Sequence, residues 1–114
     1  MKKSNWILGI AASMVFAVVA LPSVERTVTA GPPTADVQID NFSFSPATIT
    51  VKAGTQITWT NHDDIPHAVV SEDKSFKSKV LDTDEKFTFM ATKPGTYSYY
   101  CSIHPKMTGK LIVE

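Results

Sequence analysis

From Val37 to Val113 apolar and polar residues alternate in short runs: Val37–Ile39, Ala47–Val51, Gln56–Thr60, Phe87–Phe89, Thr96–Cys101 and Lys110–Val113. The runs are rich in β-branched and aromatic side chains, and a period of two places every second side chain on one face of a strand. They stop at Lys52-Ala53-Gly54 and Lys93-Pro94-Gly95, and polar connections at 61–66, 71–78 and 82–85 separate others. No amphipathic helical pattern follows residue 30. Many short strands with Pro and Gly at the breaks predict an all-β sandwich or barrel. Ile49, Val51, Ile57, Trp59, Phe87, Phe89, Tyr97 and Leu111 are its expected interior. The folded domain is expected over 37–114, and residues 31–36 are expected to form a flexible N-terminal segment.

The first thirty residues follow another logic. Lys2 and Lys3 precede the uncharged run Trp6–Leu21, and the segment ends in Val28-Thr29-Ala30. A basic start, an apolar middle and a small-x-small exit describe a secretory signal peptide over 1–30, with cleavage after Ala30. The competing reading is a retained anchor, for which an uncharged run of 16 residues falls short of the roughly 20 that a spanning helix needs. No cysteine is present in this segment to carry a lipid. The expected location is therefore periplasmic, with no stable membrane insertion after cleavage.

The remaining 84 residues hold eight lysines against ten acids, a net charge of −2. No basic concentration suggests nucleic acid. Small exported domains commonly use disulfides as staples, but a single cysteine closes no internal bridge. A lone thiol in an oxidising compartment needs burial or an occupant, which directs attention to Cys101.

Cys101 opens the segment Cys101-Ser102-Ile103-His104-Pro105-Lys106-Met107, with an imidazole at +3 and a thioether at +6. From this chain's His and Met content, both spacings arise by chance roughly once in a thousand. Two-residue spacers let a turn fold back so that successive donors converge, and Pro105 stiffens the turn. Thiolate, imidazole and thioether together suit copper in both oxidation states. Calcium and magnesium require oxygens, and zinc favours further thiolates or imidazoles. A trigonal copper plane needs a second imidazole. His67 is preferred, because it follows Pro66 and begins an apolar run. His62 lies among Asn61, Asp63 and Asp64, in the setting of an ordinary solvated loop histidine. Taken singly, a strand-end cysteine is usually core, and a lone methionine or histidine usually packing; the joint pattern argues for a site. Asp63 and Asp64 themselves read as solvated loop residues or, less simply, as steering charges for a redox partner.

With these residues the chain resembles the cupredoxins, the type 1 blue copper proteins, over roughly residues 35–114. Pro66-His67-Ala68-Val69-Val70 is similar to the family's first ligand segment, and 100–114 to its ligand loop and closing strand. The short Cys-x-x-His-x-x-Met spacing is closest to the amicyanin branch, with plastocyanin and pseudoazurin more distant. The resemblance implies an eight-stranded Greek-key β-sandwich and one type 1 copper ion. It also implies His67, Cys101 and His104 as equatorial ligands, Met107 as the axial ligand, and the His104 ring as the electron's exit. Two positions depart from the pattern. Ala68 replaces an asparagine that bonds to the residue after the cysteine, so a looser tie between the ligand segments is expected. Lys106 replaces an aromatic residue of the apolar patch, which disfavours amicyanin's partner, methylamine dehydrogenase.

The implied function is a monomeric carrier of single electrons between redox protein partners, not an enzyme. Storage or delivery of copper would use the same residues and stays open. A Cys–His enzyme would leave Met107 unexplained.

Overall fold

The computed structural model describes residues 31–114; the signal-peptide reading of 1–30 lies outside the described residues. Eight strands form: β1 Thr34–Asp40, β2 Ser43–Ser45, β3 Thr48–Val51, β4 Thr55–Asn61, β5 Val70–Ser71, β6 Lys86–Ala91, β7 Gly95–Tyr100 and β8 Thr108–Val113. They assemble into two four-stranded sheets, β2-β1-β4-β6 and β3-β8-β7-β5. Each sheet is mixed: β1 runs parallel to β4 and β3 parallel to β8, while the other neighbours are antiparallel. From β2 to β7 successive strands alternate between the sheets, while β1–β2 and β7–β8 pair within one sheet, a Greek-key arrangement that buries both inner faces. Among the described residues there is no helix, and none long and apolar enough to cross a membrane.

The period-two runs do what their pattern dictates. In β4, Thr55, Ile57 and Trp59 face the interior while Gln56 and Thr58 are half-buried. In β7 Tyr97 and Tyr99 are buried, and Cys101, one residue past the strand, continues the same inward series. Trp59 lies at the centre, with the rings of Phe76, Phe87 and Tyr99 5.3–5.5 Å from its own. Each large apolar side chain buried in this way contributes about 2–3 kcal/mol. Val51, Ile57, Trp59, Tyr97 and Leu111 are core residues as expected; Ile49, Phe87 and Phe89 are only partly buried and pack against it.

The N-terminal boundary differs from expectation. Thr34–Asp36 belong to β1, aligned with Gln56–Thr58 of β4, so residues 31–36 are not a uniformly flexible lead-in. Main-chain pairing with β4 holds these three residues, and partly buried Ala35 extends the series of Val37 and Ile39 against the core.

The fold brings three pieces of chain to one rim. His62 N–H donates to Ile39 O at the end of β1. Val70 of β5 pairs with Tyr100 of β7. The β1–β2 turn, the 61–67 segment and the 101–107 loop therefore meet there.

Candidate metal centre

Asn61, fully buried at the end of β4, shapes the first segment. Its Nδ2 donates to Ile65 O and Leu81 O, both at 2.9 Å, and its Oδ1 accepts the Asp63 N–H at 2.9 Å. His67 and Leu81 then exchange main-chain bonds of 3.0 and 2.7 Å, which fixes the histidine's backbone. Its ring is completely buried. Nε2 lies 2.7 Å from Asp63 Oδ2, and Nδ1 lies 3.7 Å from Cys101 Sγ.

The second segment is a closed loop built from two turns. His104 N–H donates to Cys101 O at 3.1 Å, and Met107 N–H donates to His104 O at 2.8 Å. Each two-residue spacer is thus one β-turn, with Pro105 at the position where its fixed φ is favoured. Cys101 N–H donates to Met107 O at 3.0 Å and ties the loop's ends together. Cys101 and Met107 are buried; His104 is half-buried beside the exposed Ile103, Pro105 and Lys106.

Main-chain contacts link the two segments. Ala68 N–H points at Cys101 Sγ at 3.3 Å, and the β5–β7 pairing lies just beyond. Ala68 thus joins the two segments through its main chain only, and Ser102 is exposed to solvent. An N–H directed at sulfur stabilises the thiolate and is a recognised lever on a metal's potential.

His62 is exposed, whereas the rings of His67 and His104 lie 5.1 Å apart between centroids. Among the described residues no three His, Cys, Asp or Glu side chains already stand at metal-site spacing; His67 and Cys101 do so as a pair. Donors bound to one ion at about 2.05 Å for nitrogen and 2.3 Å for sulfur, about 120° apart, are separated by about 3.8 Å. The observed 3.7 Å fits that requirement. With a second imidazole and a buried thioether at the same rim, the donor chemistry suits copper.

Asp63 was expected to be a solvated loop residue, and the structure corrects this. Its side chain is 11% exposed and takes bonds from the main chain of Asn41 at 2.7 Å and Phe42 at 3.0 Å, besides its contact with His67. Burial pushes the carboxyl's pKa up, but these two amides and the His67 ring outweigh it and hold the group below its ordinary 3.8. Phe42 was also not singled out from sequence. Its ring meets those of His67 and His104 edge-on, at 5.7 and 5.2 Å.

Comparison with known proteins agrees with this geometry. The cupredoxin-like domain family matches residues 9–113. The chain belongs to that family. Amicyanin-alpha of Methylorubrum extorquens is 29% identical, with both chains covered in full. Amicyanin of Paracoccus versutus is 32% identical over 79% of this chain and 74% of its own. Among solved structures, a purple cupredoxin from Nitrosopumilus maritimus superposes with a TM-score of 0.68 at 33% identity, over 70% of this cupredoxin and 99% of its own chain.

Proposed function

We propose that this cupredoxin is an exported, periplasmic carrier of single electrons, with one copper ion held by His67, Cys101 and His104 and, more weakly, by Met107. The observation that carries this reading is the 3.7 Å approach of His67 Nδ1 to Cys101 Sγ, between buried side chains from distant segments. The amicyanin relatives support it. Copper bound there would supply a one-electron couple, and the chain's task is to keep the donors from rearranging as the electron moves. Main-chain bonds do that work: His67 is locked to Leu81, and Cys101, His104 and Met107 to one another. Half-buried His104 is the ring through which the electron would pass to a partner. The protein is a carrier and not an enzyme.

Addition of Cu(II) to the purified domain tests the assignment. An intense visible thiolate-to-copper band that bleaches on reduction and returns on oxidation is expected, and Cys101→Ala should lack it. A colourless Cu(II) form would refute the reading. Slow electron self-exchange together with rapid surrender of copper to a chelator would instead favour copper delivery.

A further inference from the structure

One exposed aromatic residue occupies a backbone conformation that suits it poorly. Asn41 and Phe42 form the two-residue turn between β1 and β2, where Asp40 pairs with Ser43, and their φ values are 52° and 57°. Two successive positive φ values mark a type I′ hairpin turn, whose second position favours glycine. Phe42 is instead a strained choice, and its side chain is 54% exposed. A hairpin alone gives no reason for a phenylalanine there. The neighbourhood does, because the ring stands against both His67 and His104.

The turn is held by one carboxylate. Asn41 N–H donates to Asp63 Oδ1, and Phe42 N–H donates to Asp63 Oδ2, the same oxygen that faces His67 Nε2. Asp63 is itself fixed at both ends: its N–H donates to Asn61 Oδ1, and its carbonyl accepts the Thr83 hydroxyl at 2.7 Å. An ionised carboxylate only accepts hydrogen bonds. A neutral imidazole beside it therefore carries its proton on Nε2 and leaves the Nδ1 lone pair free, on the side where the sulfur lies.

We propose that Asp63 is a positioning residue of this centre: its carboxylate selects the His67 tautomer that offers Nδ1 to the metal and, by gripping the Asn41–Phe42 turn, sets an aromatic ring against both imidazoles. The tautomer part concerns the chain itself; its relevance to copper rests on the function proposed above.

Imidazole ¹⁵N shifts of the full-length metal-free protein at neutral pH provide the test. Wild type should show His67 as the single Nε2–H tautomer; an Nδ1–H ring would overturn the proposal without any variant. Asp63→Ala should give a tautomer mixture, lose the proton contacts between Phe42 and His104, and weaken Cu(II) binding about 10- to 100-fold. An unaltered tautomer with Cu(II) affinity within twofold of wild type would overturn it. Phe42→Gly should keep the wild-type tautomer, because the carboxylate and both turn amides remain; loss of that tautomer would assign the positioning to the ring and overturn the proposal. Wild type giving the expected tautomer but no visible band with Cu(II) would count against the copper reading alone.

Discussion

Gly109→Ala sets two effects of opposite sign against each other. In an ordinary strand, alanine in place of glycine reduces the backbone entropy lost on folding and stabilises by about 0.5–1 kcal/mol. Gly109 has no positive φ that alanine would resist. It lies directly across from Tyr99, and a methyl group there would stand 2.6 Å from Tyr99 Cε2 and closer still to Cζ. Carbon contacts are comfortable from about 3.5 Å, so the ring must move by about 1 Å. Its path is blocked by Phe44, Trp59 and Phe76, with ring centroids at 4.7, 5.5 and 6.0 Å. Overpacking a confined core costs about 1–3 kcal/mol, and with rings on several sides the upper end is expected. The net loss is about 2–2.5 kcal/mol, or roughly 10–20 °C in the Tm of a domain this size, read by circular dichroism on the metal-free protein. Tyr99→Phe should bring little relief, since the ring carbons Cζ and Cε2 clash as well as the hydroxyl. Tyr99→Leu should relieve the clash, so the pair should couple by more than about 1 kcal/mol in a double-mutant cycle. Because Cys101 lies two residues beyond Tyr99 on the same inward series, the copper form's visible band should also shift. A Gly109→Ala protein as stable as wild type would refute this account of the β7–β8 interface.

Three further outcomes follow from the same contacts. Phe42→Gly should stabilise the metal-free protein by up to about 1 kcal/mol through relief of left-handed strain, measured by urea unfolding. Met107→Ala should destabilise the metal-free protein by about 2 kcal/mol for the lost buried side chain, yet keep a visible thiolate band with a changed potential, since an axial thioether binds weakly. On acidification two surface turns should loosen: the Asp73 carboxyl is held below 3.8 by the Ser75 amide, and the Glu85 carboxyl below 4.5 by the Asp82 amide and then by Lys79. Groups with depressed pKa values contribute order that is complete above their ordinary range and is lost as pH falls through the folded value. The amide shifts of Ser75 and Asp82 should therefore titrate with midpoints below 3.8 and 4.5.

The β-sandwich was legible because its longer strands are half-buried and alternate. The short strands were not. Ser43–Ser45 and Val70–Ser71 are too brief to show a period, and at Thr34–Asp36 the one side chain packed on the core is the small, partly buried Ala35. The Cys101–Met107 spacing announced its loop because each two-residue spacer is a turn in its own right. Asp63 and Asp64 are chemically identical and adjacent, and only the return of the β1–β2 turn from over twenty residues away distinguishes them. A faint signal existed: Asp63 lies four residues before His67, a reach that one folded-back segment can close. Phe42 gave none, since an aromatic residue between Asn41 and Ser43 reads as strand rather than as a turn.

On the proposed ligand set, the two histidines show why a carrier would draw its ligands from such different surroundings. His67 is enclosed, its backbone pinned by Leu81 and its outer nitrogen facing a fixed carboxylate, so the cost of ordering it is met when the chain folds. His104 is half-buried among exposed loop residues, and among the described residues no hydrogen bond to its ring is found; Phe42 and His67 are its aromatic neighbours. A centre made only from enclosed residues would hold its geometry but bury the electron, and one made only from exposed residues would rearrange with every transfer. Rigidity through His67 and Cys101, with access through His104, meets both demands. Asp63 joins the two, because the carboxylate that faces the enclosed ring also fixes the turn whose phenylalanine bears on the accessible one.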